Sequence, residues 1–362
     1  MWERSRLDPF VDAIERRSGF NNGVEGEPSR QREQKLPSDP IARRDVARQL
    51  DAEMTELLGI VRPPVAAEDW SVPVPGYPDA RVRVFWPTDE RPASGDPADL
   101  PVQVYFFGGG FTMGGIDWVG LDAMFCARAA EAGIIVIAGE HSLAPEVQYP
   151  AQPEQCWSIF EWAVGHAKAL GGDPARLAIG GASAGGNLAA AVAIMNRDRN
   201  QHPIRLQILE VPTVDLRGKY LDPRALSRIM PASLLRLLMW RPLARDYLGD
   251  RRLAEISRQP YASPLLARNH AGLPPALILT AEFDPLRGDG EAYARALTAS
   301  GVPATCVRYV GQSHGSGAYR NRNPAADHAN RQVIATLRTL HQPESAYTYG
   351  PAQVAKAAPV TR

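Results

Sequence analysis

The hydrophobic positions of this chain change their period several times. Between Asp45 and Leu58 the apolar residues Val46, Leu50, Met54, Leu57 and Leu58 recur at helical spacing, which predicts an amphipathic helix. A shorter helix is predicted over Pro9 to Arg17. The residues between, 21–42, are rich in Gly, Pro, Ser, Gln and charge, hold almost nothing to bury, and read as a loop. The period then falls to two: Trp70–Val74 and Val82–Trp86 alternate as half-buried strands do. Six further runs are short, apolar and rich in β-branched residues, namely Val102–Phe107, Ile134–Ala138, Leu177–Gly180, Ile204–Val211, Ala276–Thr280 and Ala304–Val310. Unbroken apolar runs of this length suit strands buried on both faces. Helical patterns at Leu121–Ala132, Glu154–Leu170, Gly186–Met195 and Gly290–Ala299 separate most of them. Strands and helices in alternation predict an α/β fold, a mainly parallel central sheet with helices on both faces.

One segment breaks the alternation. Over 216–258 the pattern is helical, with Leu234, Leu235, Leu238 and Leu243 forming an apolar stripe between two sheet strands. It reads as an inserted helical cap, with a plain long crossover as the alternative. The predicted organisation is an N-terminal segment with a cap helix (1–60), a first part of the α/β core (61–215), the cap (216–258), a second part of the core (259–342) and a flexible tail (343–362).

Composition acts mainly by exclusion. Of 362 residues, 44% are apolar and 22% charged, as in ordinary soluble proteins. Forty Lys and Arg balance forty Asp and Glu, so no basic field offers itself to nucleic acid or a membrane surface. No apolar run reaches the roughly 18 residues of a membrane span. No apolar region follows Met1-Trp2-Glu3-Arg4 as in a secretory signal, which favours a cytoplasmic protein. Cys126, Cys156 and Cys306 lie far apart in apolar stretches and read as small packing residues in a reducing compartment. Their spacing suits no zinc site.

The segment Arg176-Leu177-Ala178-Ile179-Gly180-Gly181-Ala182-Ser183-Ala184-Gly185-Gly186-Asn187 carries the clearest chemistry. A strand ends at Gly180, and a helix begins near Gly185. Between them stands Gly181-x-Ser183-x-Gly185, the nucleophile-elbow pattern in its strand–turn–helix setting. The chain reverses so sharply there that a side chain at either flanking position would collide with strand or helix, and glycine removes the clash. The serine hydroxyl then projects near the positive end of the following helix. The rival reading, a phosphate-binding turn, lacks both GxGxxG and GK[ST]. Upstream, Tyr105-Phe106-Phe107-Gly108-Gly109-Gly110-Phe111 places three glycines after a buried strand, where backbone N–H groups can point into a site. A tetrahedral intermediate needs such donors, each typically contributing about 3–4 kcal/mol. The expected donors are the N–H groups of Gly109, Gly110 and Ala184.

Together these stretches resemble the hormone-sensitive-lipase-like bacterial carboxylesterases of the α/β-hydrolase fold. That group carries an HGGGF-type loop, a GDSAGG-type elbow, a Y-R-L-A-P-E stretch, a D-P-L-R-D-E-G motif and a final H-G. The counterparts here are Phe107–Phe111, Gly181–Gly186, His141–Glu146, Asp284–Gly290 and His314-Gly315, in matching order over roughly residues 45–340. Phe107 replaces the loop histidine, Ala182 the usual acidic residue beside the serine, and His141 and Ser142 the Tyr and Arg. These departures mark an outlying member.

A serine hydroxyl needs an adjacent base, and the base an orienting acid. Of seven histidines, His314 follows the last strand, at the sheet edge where open α/β folds place their ligands. The remaining six read as packing or surface residues, with His141 able to line the pocket. Asp284 follows the strand Ala276–Thr280, and Ser183, Asp284, His314 is the chain order of α/β-hydrolases. Asp215 is the second candidate acid. Asp289 reads as part of a helix N-terminal turn and Glu282 as structural.

The resulting expectation is a cofactor-independent serine carboxylesterase acting on a small-molecule ester, with no nucleic-acid partner and a homodimer left open. Specificity is expected from residues 45–58 and from the cap, where Met230, Leu234, Leu238, Met239 and Trp240 either line a pocket or simply pack. An acyltransferase, or a lyase or cyclase of specialised metabolism, would use the same machinery. A non-catalytic small-molecule receptor would require a lost triad residue.

Overall fold

The strand that carries Gly180 and Gly181 lies near the centre of the molecule. A computed structural model describes residues 7–18, 39–93, 99–222, 240–251 and 253–343. Among these, eight strands form one sheet: β1 (Ala67–Val72), β2 (Ala80–Phe85), β3 (Leu100–Phe106), β4 (Ile135–Glu140), β5 (Gly172–Ala182), β6 (Leu206–Glu210), β7 (Ala276–Phe283) and β8 (Ala304–Ser313). Their order is β1-β2-β4-β3-β5-β6-β7-β8. The pairs β1–β2 and β2–β4 are antiparallel and all later pairs are parallel. All eight predicted strands are present, with ends that differ by a few residues.

The apolar runs are continuous because alternate residues of one strand enter two different cores. In β4, Ile135 and Ile137 face one cluster while Val136 and Ala138 face the other. In β5, Leu177 and Ile179 oppose Ala178 in the same way. Helices α4 (Ala151–His166) and α5 (Ala184–Arg199) close the first cluster. Helix α3 (Val119–Ala132) and the C-terminal helix Pro324–Arg338 close the second. No described helix is long and apolar enough to cross a membrane.

Four sequence expectations are corrected. The last strand is not buried on both faces: β8 ends the sheet order, and Cys306 is exposed rather than packed. The predicted loop 21–42 runs too far, because helix α2 (Pro40–Leu57) already begins within it. Asp39 caps this helix, its carboxylate accepting the Ala42 N–H at 2.7 Å, and Pro40 occupies the first turn. The strand at Leu177 starts earlier, at Gly172. The helix Pro324–Arg338 has no counterpart in the predicted pattern, since its large buried residues, Val333, Ile334 and Leu337, all lie towards its end and only Ala326 is buried near its start. Helix α1 (Pro9–Ser18) follows the prediction. Residues 19–38, part of the predicted cap (223–239, including Met230, Leu234, Leu235, Leu238 and Met239) and the predicted tail from 344 lie outside the described residues.

Candidate active site

At the carboxyl end of β5 the chain turns into α5 within one residue. Ser183 holds φ 54° and ψ −116°, a conformation that costs an L-residue about 1–3 kcal/mol and persists only where its surroundings enforce it. They do. The Ser183 N–H donates to the Glu210 carbonyl of β6 at 2.9 Å, and its own carbonyl accepts from Asn187 and Thr213. A Cβ on Gly185 would strike the Phe106 and Phe107 carbonyls, and one on Gly181 would strike Gly185. The two glycines are therefore required by close backbone approach, as the pattern implied. Asn187, buried in the first turn of α5, locks the turn further by donating to the Thr213 and Ala262 carbonyls at 2.8 and 2.9 Å.

The loop after β8 brings His314 to this serine. His314 Nε2 lies 2.9 Å from Ser183 Oγ, and its Nδ1 lies 2.9 Å from Asp284 Oδ2. A carboxylate only accepts, so the imidazole N–H belongs on Nδ1 and leaves Nε2 free to take the serine proton. Asp284 is fully buried, and its other oxygen accepts the Leu286 N–H at 2.8 Å, which fixes the carboxylate in place. The alternative acid is occupied elsewhere: both oxygens of Asp215 bind the guanidinium of Arg217 at 2.8 Å. Asp289 stands in the first turn of its helix, as read, but its carboxylate turns inward to accept the N–H groups of Val214 and Asp215 at 2.9 Å. Burial pushes its pKa up to about 8. Glu282 accepts the Gly311 N–H at 2.9 Å, a structural link between β7 and β8.

The glycine loop lies over the elbow. A Cβ on Gly108 would approach Ser183 Cβ to 3.3 Å. Gly109 (φ 126°) and Gly110 (φ 62°) turn the chain so that the Gly109 carbonyl accepts the N–H groups of Thr112 and Met113. Among the described residues, no backbone acceptor takes the N–H groups of Gly109, Gly110 or Ala184. Ser183 itself stands at the start of a 16-residue helix whose dipole favours negative charge there.

Phe107, where the resemblance calls for histidine, is buried and lies flat on His141, with ring centroids 4.7 Å apart. His141 bonds the Ser142 carbonyl through Nδ1 at 2.9 Å, and burial brings its pKa down to about 4. It therefore packs as a neutral ring. Two contacts escaped the sequence reading. Helix Arg241–Leu248 lays Tyr247 flat on Phe111, with centroids 3.7 Å apart, and sets Leu243 beside Gly110. The i, i+4 spacing of Leu243 and Tyr247 on one helical face was the available signal. Trp240 is a packing residue, with its indole N–H donating to the Leu216 carbonyl at 3.1 Å.

A model of the alpha/beta hydrolase fold matches residues 103–317. Carboxylesterase NlhH of Mycobacterium tuberculosis is 37% identical, over 77% of this chain and 84% of that protein. Esterase LipI of the same organism is 33% identical, over 94% of this chain and 97% of its own length. Among solved structures, a hyperthermophilic esterase from Pyrobaculum calidifontis superposes with a TM-score of 0.76 at 31% identity, covering 93% of this chain and 99% of that one.

Proposed function

We propose, for a chain that belongs to the alpha/beta hydrolase fold family and is a carboxylesterase-type serine hydrolase, that Ser183, His314 and Asp284 are its catalytic triad and the N–H groups of Gly109, Gly110 and Ala184 its oxyanion donors. The observation that carries this reading is the unbroken hydrogen-bond chain Asp284–His314–Ser183, 2.9 Å at each link, built from residues 30 and 131 positions apart. Ser183 Oγ attacks the ester carbonyl carbon as its proton passes to His314 Nε2. Asp284 stabilises the imidazolium, and the three N–H groups hold the oxygen that gains charge. The intermediate collapses, and His314 protonates the departing alcohol. Water then enters, loses a proton to the same nitrogen and releases the carboxylic acid. Helix α2 and the segment 216–258 form the cap that selects among small esters in this reading. Support comes from Leu243 and Tyr247, which bring that segment against the glycine loop.

Labelling with a fluorophosphonate tests the triad. The wild type should label once, at Ser183, and lose its esterase activity in proportion. Equal labelling of wild type and Ser183→Ala would overturn the assignment.

A further inference from the structure

The glycine loop over Ser183 is anchored at its far end as well as through Phe107. That anchor comes from the N-terminal helix. Arg44, near the start of α2, points its guanidinium at the base of the loop. Its Nε donates to the Thr112 carbonyl at 2.7 Å and its Nη2 to the Ala144 carbonyl at 2.8 Å. Both partners bond the loop directly. The Thr112 N–H donates to the Gly109 carbonyl at 3.1 Å, and the Ala144 N–H donates to the Phe111 carbonyl at 2.9 Å. One planar group therefore ties together Thr112 and Ala144, the residues that bond the Gly109 and Phe111 carbonyls.

We propose that Arg44 is a positioning residue for catalysis, holding the oxyanion loop in register with Ser183 from the N-terminal helix. This rests on the reading that the loop N–H groups are the oxyanion donors. Arg44 also meets Glu146 through both terminal nitrogens, at 2.9 and 2.6 Å. That pair does not account for the residue. The pair is bidentate, but Glu146 is 44% exposed, so solvent screens much of its attraction. The two carbonyl bonds are charge-assisted and made by a side chain only 21% exposed, so they hold more firmly. Nor is Arg44 required merely to dock α2, which has a separate tether: the Asp51 carboxylate accepts the Gly120 N–H at 2.9 Å.

The test separates loop positioning from general stability. Wild type, R44A, R44K and E146Q are titrated with a fluorophosphonate to fix the concentration of active sites. Each is then measured for kcat and KM on p-nitrophenyl butyrate and for Ki of an alkyl trifluoromethyl ketone, which forms a charged tetrahedral adduct on serine. R44A should lower kcat about 30-fold, as a displacement of under 1 Å in a catalytic group does. It should raise Ki by a similar factor and change KM less than about threefold. R44K should fall between, since one ammonium cannot span both carbonyls. E146Q, which leaves both carbonyl bonds in place, should stay within about threefold of wild type in kcat and Ki. A fall in kcat without a rise in Ki overturns the proposal, as do wild-type values for R44A or losses in E146Q that equal those of R44A. If R44A does not fold, R44K carries the same comparison. Failure of the ketone to inhibit the wild type would overturn the oxyanion reading itself, before any Arg44 variant is considered.

Discussion

The ring of Phe107 lies on the ring of His141 at 4.7 Å, with 17° between their planes, and both side chains are almost completely buried. In this pair, stacking holds the start of the glycine loop against the residue that follows β4. The pair is also pH-sensitive. His141 titrates near 6.5 in an unfolded chain and near 4 when folded, because burial opposes its charge. Between those values the unfolded state binds the proton and the folded state does not, so stability falls as pH drops through the window. The difference corresponds to about 3 kcal/mol at most. His141→Phe keeps the stack and removes the titration. Urea unfolding from pH 7 to pH 4 should show a shallower loss for H141F than for wild type. Parallel curves would assign the acid sensitivity elsewhere. Phe107→Ala should cost about 3–5 kcal/mol at neutral pH through the cavity it leaves.

The two expected oxyanion glycines should differ in their tolerance of a methyl group. Gly110 sits at φ 62°, which alanine can adopt for about 1–2 kcal/mol, and its Cβ would meet only the tip of Leu243, at 2.9 Å. Gly109 sits at φ 126°, and its Cβ would strike the Met113 carbonyl, which is fixed backbone. Gly109→Ala should therefore lower kcat/KM by at least about 100-fold, as loss of an oxyanion donor does. Gly110→Ala should lose much less, and the double variant with Leu243→Ala should recover part of it. A double-mutant cycle on kcat/KM measures the coupling. Equal losses for the two glycines would contradict this geometry.

Asp284→Asn should keep the fold and remove the acceptor that fixes the His314 tautomer. The expected loss in kcat is on the order of 10⁴, with KM nearly unchanged. Asp215→Asn should leave kcat within about threefold, because the Asp215 carboxylate is held by Arg217 rather than by a histidine. Steady-state kinetics on the pair of variants decides between the two acids.

These sites were legible in the sequence to different degrees, for physical reasons. The elbow could be read because strand, turn and helix are local, and because Gly181 answers in part to a backbone contact only four residues away, at Gly185. His314 and Asp284 could be ranked because each follows an apolar run that becomes a strand, and strand ends lie on the same edge of a parallel sheet. Arg44 could not be found in this way. Its partners lie 68 and 100 residues further on, and they are backbone carbonyls, which carry no sequence identity. The exposure of Cys306 was hidden for a related reason: an edge strand can carry the same apolar residues as a central one, and only its place in the sheet order decides what covers it.

Asp289 gives the opposite pH signature to His141. Its Oδ2 accepts two N–H groups, while its Oδ1 is buried with no hydrogen-bond partner among the described residues. Burial raises its pKa from 3.8 to about 8, opposed by those two hydrogen bonds, and the nearby charges of Asp215 and Asp284 add to the rise. Between pH 4 and 8 the folded state therefore keeps a proton that the unfolded state releases. This group's contribution to stability is complete at low pH and is lost as pH rises through that window. Asparagine preserves the accepting oxygen and carries no charge at any pH. Asp289→Asn should thus be more stable than wild type at pH 8, by at least about 1 kcal/mol, and the advantage should shrink towards pH 5. Urea unfolding at pH 5 and pH 8 measures both values. A destabilised variant at pH 8, or a gain independent of pH, would show that the carboxylate is stabilised in its ionised form by contacts that outweigh its burial.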